Sequence, residues 1–356
     1  MKTGYETILT NFAEVGLDEL DGGSERGGGP VAVTAGPAET STPPRPVGHD
    51  QHPPRRRRRL TQRLWQARWC YLFILPGVVY FVIFRYLPLA GNAIAWQDYS
   101  PYLGFERSPW IAWDNFARLL TDPEVANALI NTLVLSVLQI VFAFPAPLLL
   151  ALLLNSIVSD RIKRFVQSVV YLPHFIGWVI VVSIWQALFG GTGSISGALS
   201  DLLDRPVNLM TNPDTFPLLI TSQVIWKEIG WGTIIFLAAM ALVPVERYEA
   251  AAVDGAGGGR RMWHVTLPGI TPVIVLLLIL RLGSVLTVGF EQIILQQDAV
   301  GADVAQVLDT FVYYRGVLGG DWGLATAAGL VKGVVGTVLV IGANWVAKRL
   351  GGEGAF

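Results

Sequence analysis

Several ionisable residues stand inside long apolar stretches of this chain: Lys227 and Glu228, Arg281, Glu291 and Lys332. Each is costly in lipid and belongs against a protein or water-filled interior. Two kinds of chemistry are open to them. Glu228 can pair with Arg281 or Lys332 and simply hold a helix bundle together. Alternatively, Glu228, Arg281, Glu291 and Lys332 line a pathway for a polar solute, where a guanidinium can hold a carboxylate through two parallel hydrogen bonds. Covalent chemistry has less to work with. His49, His52, His174 and His264 are too scattered for a zinc site. The single cysteine, Cys70, excludes an intramolecular disulfide and supplies no metal cluster. No G-x-x-x-x-G-K-[ST] run is present to cradle a phosphate, and no Ser/His/Asp spacing or carboxylate pair suggests hydrolysis. The chain does not read as an enzyme, and no metal or cofactor site of its own is expected.

The elements that hold these residues are apolar and long. Of 356 residues, 52% are hydrophobic and only 15% charged, and the net charge of −1 says little about partners. Runs of about twenty apolar residues, the length that crosses a hydrocarbon core, recur. Six spans are expected, near Trp69–Leu89, Ala128–Asn155, Phe165–Phe189, Phe216–Leu242, Ile270–Leu295 and Gly323–Val346. The fold class is therefore an all-α, polytopic membrane protein. Pro145 and Pro147 are expected to kink the second span. Arg281 would lie about 18 Å up the fifth span at the rise of a helix, Lys332 about as deep in the sixth, and Glu291 nearer the outer end of the fifth. Gly333, Gly336 and Gly342 read as helix-packing positions.

Charge orients the bundle. Residues 1–54 are polar and rich in Gly and Pro, with no signal-peptide core. Arg55 to Arg59 follow, read as a juxtamembrane basic anchor rather than a nucleic-acid patch. Arg161, Lys163, Arg164, Arg247, Arg260, Arg261, Lys348 and Arg349 concentrate further basic residues in loops 156–164 and 243–269 and at the end of the chain, while the other loops carry few. By the positive-inside rule these regions, and both termini, face the cytoplasm of a cell membrane. The expected division is a disordered cytoplasmic tail with its basic juxtamembrane anchor at 1–64, a six-span domain at 65–350 and a short cytoplasmic tail at 351–356. Loop 90–127 carries Trp96, Tyr99, Tyr102, Trp110 and Trp113, read as interfacial anchors, with a short docking helix at Trp110–Leu120 as the alternative.

Loop 243–269 has its own pattern. Pro244 can open a helix at its first position, and Glu246 and Glu249 favour its first turns. Ala250, Ala251 and Ala252 propagate it with almost no side chain. Gly255 and Gly257 to Gly259 would stop it. Arg260 to Thr266 can form a second short helix, closed by Leu267 and Pro268. This spacing resembles the cytoplasmic loop of ABC importer permeases: Glu249-Ala250-Ala251, three residues, Gly255, nine residues, then Val265-Thr266-Leu267-Pro268, with Val265 where the family has isoleucine. Tyr248 to Ala256 also fit the fuller carbohydrate-permease form YEAAxxDGA, which includes Asp254.

The runs YLPHFIGWVI, WKEIGWGTIIFLAA, LRLGSVLTVGFEQIIL, VLDTFVYYRGV and GLATAAGLVKG are similar to oligosaccharide permeases of the LplB type, over about residues 65–350. That resemblance implies a type I importer permease. It implies a heterodimer with a second permease, two cytoplasmic ATP-binding subunits that carry the ATP and Mg, an extracytoplasmic solute-binding protein, and a sugar or oligosaccharide as cargo, often one containing uronates. Glu249, Ala250, Ala251, Asp254, Gly255, Leu267 and Pro268 would then couple the bundle to the ATPases. The rival readings are a permease of the same build for an amino acid, phosphate or metal, a channel or ion-coupled carrier, and, most distant, a membrane glycosyl-transfer enzyme.

Overall fold

The computed structural model describes Trp65 and residues 68–349 except Val158. Apart from Trp65 these belong to one unit, Arg68–Phe356. The expected tail at 1–64, its arginine run and the piece at 351–356 lie outside the described residues. In chain order the main helices are α1 (Arg68–Trp96), α2 (Asp114–Thr121), α3 (Pro123–Ser156), α4 (Asp160–Tyr171), α5 (Trp178–Phe189), α6 (Ser194–Leu203), α7 (Phe216–Ala241), α8 (Val245–Val253), α9 (Gly258–Gly283), α10 (Phe290–Ile294) and α11 (Trp322–Arg349). Six stretches are long and apolar enough to cross a membrane: α1, α3, α5 with α6, α7, α9 and α11. Among the described residues, extended backbone pairs only in an isolated bridge between Gln97 and Trp110.

Helix α3 begins where a sequence reading would start it. Asp122 caps it by accepting from the Glu124 N–H at 2.9 Å, and Pro123 takes the first turn, where its missing donor costs nothing. Further along, three helices pass a proline by one device. Widened turns at Val82–Tyr86, Gln139–Ala143 and Met262–Thr266 lie just before Pro88, Pro145 and Pro268. In each, the residue preceding the proline donates to the carbonyl five back: Leu87 to Val82, Phe144 to Gln139, Leu267 to Met262. The extra residue in the turn makes room for a ring that would collide with the carbonyl four back. Leu267 and Pro268 therefore do not close a short helix, as the sequence suggested. The helix continues to Gly283.

Helix α7 is the centre of the bundle. Its buried residues Phe216, Ile220, Gln223, Lys227, Gly230 and Thr233 recur every three or four positions, which keeps one stripe inside. It meets α3 closely: a Cβ on Gly232 would lie 2.8 Å from the Pro147 ring, and Thr233 donates to the Pro147 carbonyl at 3.2 Å. Helices α9 and α11 meet at glycine too, since a Cβ on Gly336 would lie 2.7 Å from the Gly283 carbonyl. Gly333 and Gly342 have open space around them and do not pack against other helices of this chain.

Two expected spans are rearranged. The third is broken: α4 ends at Tyr171, a tight 3-10 turn covers Leu172–Phe175, and α5 restarts after Gly177. The fifth starts earlier and stops at Gly283 rather than Leu295. Beyond it Gly289 adopts φ +94 and opens the short α10. Hydropathy could not tell this stretch from a helix, because Leu286, Val288 and Ile293 are buried in the core as non-helical or short-helical chain. The aromatic loop does contain a helix, α2. Its Asn115 donates to the carbonyls of Ala95 and Gln97, both at 3.0 Å, and Arg118 pairs with Asp321 at 2.6 Å, fixing the loop to the start of α11. None of Arg68–Phe81 is buried by the rest of the chain, which leaves this segment for lipid or another chain to cover.

Candidate functional site

The loop between α7 and α9 is built from its capping chemistry. Pro244 sits at the N-cap of α8, one place earlier than expected. At the other end Gly255 has φ +76, the left-handed conformation that glycine adopts without strain. The Ala256 N–H donates to the Ala251 carbonyl at 2.8 Å and the Gly255 N–H to Ala252 at 3.1 Å. These are the two bonds of a Schellman stop, so Gly255 ends α8 as its position implied. Gly257 to Gly259 act differently: Gly257 is the extended N-cap of α9, and Gly258 and Gly259 are its first residues. The Tyr248 hydroxyl lies 3.0 Å from that of Thr266 and ties α8 to α9. Glu249 and Ala250 are exposed, Val253 is 89% exposed, and Trp263 projects nearby. A cleft of about 520 Å³, lined by Ala251, Ala256, Arg260, His264 and Val265, opens beside them. The loop thus presents an exposed apolar side chain, Val253, beside a groove lined by small residues.

The second site lies between α3, α7 and α9. A cavity of about 510 Å³ is lined by Phe144, Glu228, Trp231, Arg281 and Ser284, among others. Arg281 stands in the last turn of α9 and donates to Oε1 of Gln139, itself only 2% exposed. Opposite, Glu228 Oε2 lies 2.8 Å from His174 Nδ1, and its Oε1 is 3.6 Å from Lys227 Nζ. Lys227 also donates to the His174 carbonyl at 2.7 Å and sits 5.6 Å from the centre of the Trp178 ring. The His174 ring stacks on Trp231, with centroids 4.6 Å apart and planes at 6°. The break in the third span is therefore clamped onto α7 by one lysine, one glutamate and one tryptophan.

The proposed pairing of Glu228 with Arg281 or Lys332 does not occur. Closer partners take its place: His174 and Lys227 for Glu228, Gln139 for Arg281, and Asp309 for Lys332. Lys332 lines a separate cavity of about 410 Å³ with Thr287 and Thr337. Glu291 is exposed in the first turn of α10, away from both cavities. Of the pathway candidates, only Glu228 and Arg281 share a cavity. Sequence reasoning missed Gln139, His174 and Asp309. A glutamine inside the apolar run VLQIVFAF was the available signal for the first, and His174 was weighed only as a metal ligand.

Residues 127–352 match the family model described as "Binding-protein-dependent transport system inner membrane component". The chain belongs to this family. It is a multi-pass membrane component of a transport system, in agreement with its six apolar helices. Among curated relatives, Protein LplB of Bacillus subtilis (strain 168) is 49% identical over 294 residues, covering 82% of this chain and 92% of the relative. The polygalacturonan/rhamnogalacturonan transport system permease protein YteP of the same organism is 45% identical over 305 residues, covering 85% and 94%. A crystal structure of a bacterial ABC transporter involved in import of the acidic polysaccharide alginate has a chain 37% identical, with a TM-score of 0.76, covering 82% of this chain and 99% of that one. A second, with alginate pentasaccharide-bound periplasmic protein, gives 36% and 0.77, covering 83% and 100%.

Proposed function

We propose that this chain is the membrane-spanning permease of an ATP-driven importer for a sugar or oligosaccharide. The observation that carries the reading is the α8–α9 loop: a short, small-residue helix, stopped by Gly255, whose neighbour runs directly into the membrane as α9. ATP hydrolysis, with its Mg, belongs to two partner subunits that dock on Glu249, Ala250, Ala251, Asp254 and Gly255, while Leu267 and Pro268, inside α9, pass their motion along it. A second permease completes a heterodimer. An extracytoplasmic solute-binding protein delivers cargo, in keeping with the alginate transporter's complex with a pentasaccharide-bound periplasmic protein. Two accessibility states, biased by ATP and cargo, move the sugar through the cavity bounded by Glu228 and Arg281. Carbohydrate is favoured over other solutes by the relatives' names. The test is uptake in proteoliposomes holding the complete transporter. ATP-dependent sugar accumulation is expected only with all partner subunits present, and uptake by this chain without an ATPase would make it a channel or carrier instead.

Both termini, including the tails at 1–64 and 351–356, are assigned to the cytoplasm, on the strength of the basic loops. In a Cys70→Ala background, Ala302→Cys is expected to react with an impermeant thiol reagent added outside, and Asp160→Cys is not. Outside labelling at position 160 would invert this orientation. Both positions are exposed, so access through the membrane, not burial, decides the result.

A further inference from the structure

The charges at membrane depth are not balanced alike. Lys227 faces Glu228 at 3.6 Å, and Lys332 faces Asp309. Arg281 borders the cavity between α3, α7 and α9, yet its hydrogen-bond partner is the neutral amide of Gln139 and no carboxylate lies within ion-pair distance among the described residues. The last-turn carbonyls of α9 offset about half a charge. Among the described residues the rest has no ion-pair partner, since Glu228, which lines the same cavity, is taken by His174 and Lys227. The Gln139 carbonyl oxygen occupies one edge of the guanidinium and leaves its other N–H groups to be satisfied elsewhere. Trp231 and Phe144 line the same cavity.

Resting on the importer reading above, we infer that Arg281 is the specificity-determining residue for an acidic sugar, whose carboxylate is its missing counter-ion. Gln139 is the positioning residue. It sits on the widened turn before Pro145, in a fixed and buried place, and orients the guanidinium through its Oε1. A half-buried cation without an ion-pair partner is unfavourable until a carboxylate arrives, and a guanidinium receives that group with two parallel bonds. The Trp231 and Phe144 rings offer surface to the C–H faces of the passing ring. A neutral sugar fits the same space but leaves the charge uncompensated.

The decisive variant is Gln139→Glu, which gives Arg281 a carboxylate from the protein itself. The assay is uptake by the complete transporter in proteoliposomes, with galacturonate and alginate oligosaccharides compared against the same molecules with carboxyls reduced to alcohols. The ratio of acidic to reduced uptake is expected to fall about tenfold in Gln139→Glu, the loss of a charge-assisted contact. Arg281→Gln should lower the same ratio to a similar degree. Complex yield is measured alongside. An unchanged ratio in either assembled variant overturns the inference, as does failure of both to assemble, which would make the pair purely structural. Wild type that moves neutral oligosaccharides and neither uronate overturns it too. Wild type that accumulates no sugar with ATP sinks the importer reading instead.

Discussion

Gly255→Pro in the complete transporter is expected to insert and assemble while losing at least tenfold of the ATP hydrolysis that loaded binding protein stimulates. Proline fixes φ near −65°, where Gly255 needs +76. It also removes the N–H that donates to Ala252. Left-handed backbone already costs a residue with a side chain about 1–2 kcal/mol, and here the stop itself is lost, so α8 would turn away and carry Val253 with it. Gly257→Ala is the control, since Gly257 has an ordinary extended φ of −67 and open space around it. Retention of full stimulation by Gly255→Pro would remove the loop from the coupling path.

Gly230→Leu is expected to have the largest effect on assembly. A Cβ at position 230 would fall inside the van der Waals shell of the Val170 carbonyl, backbone that cannot rotate aside. Helices α4 and α7 would be forced apart, and the clamp at Lys227, Glu228 and Trp231 with them. Overpacking of a tight contact costs about 1–3 kcal/mol even for a methylene, and a leucine adds several. Thermal unfolding of the purified complex should move sharply down, or the complex should fail to form. Gly329→Ala, with nothing within 4 Å of the added carbon, should leave the midpoint unchanged. A wild-type midpoint in Gly230→Leu would show that the third span is not held by this contact.

The contrast between these glycines marks what could be read from the sequence. Gly255 was legible because a helix stop is local chemistry: Ala-rich propagation, then glycine at the place where the backbone must turn left-handed. The six spans and the basic loops were legible for a similar reason, as length and charge are summed along the chain. Gly230 was not, because its neighbour Val170 is sixty positions away and only packing brings them together. The membrane charges failed the same way. Depth along a span placed Glu228, Arg281 and Lys332 at comparable levels, but depth does not give azimuth, and partners such as Gln139, His174 and Asp309 come from around the bundle. The run from Val285 to Leu295 misled for another reason, since an apolar composition fits buried irregular chain as well as a helix.

The widened turn at Met262–Thr266 has a mechanical consequence. Because it lets the backbone pass Pro268 unbroken, the 26 residues of α9 form one continuous helix about 39 Å long at a helix's rise, with a second proline, Pro272, in its interior. The small-residue groove lies beside its first turns and Arg281 on its last. A tilt of about 10° imposed at the loop would sweep the arginine, about 35 Å from Gly258, through an arc of about 6 Å. With a flexible joint at Leu267 and Pro268 the same tilt would be dissipated at the membrane surface. In the importer proposed above, one extra backbone residue in the turn ahead of Pro268 would thus join the loop and Arg281 on one helix.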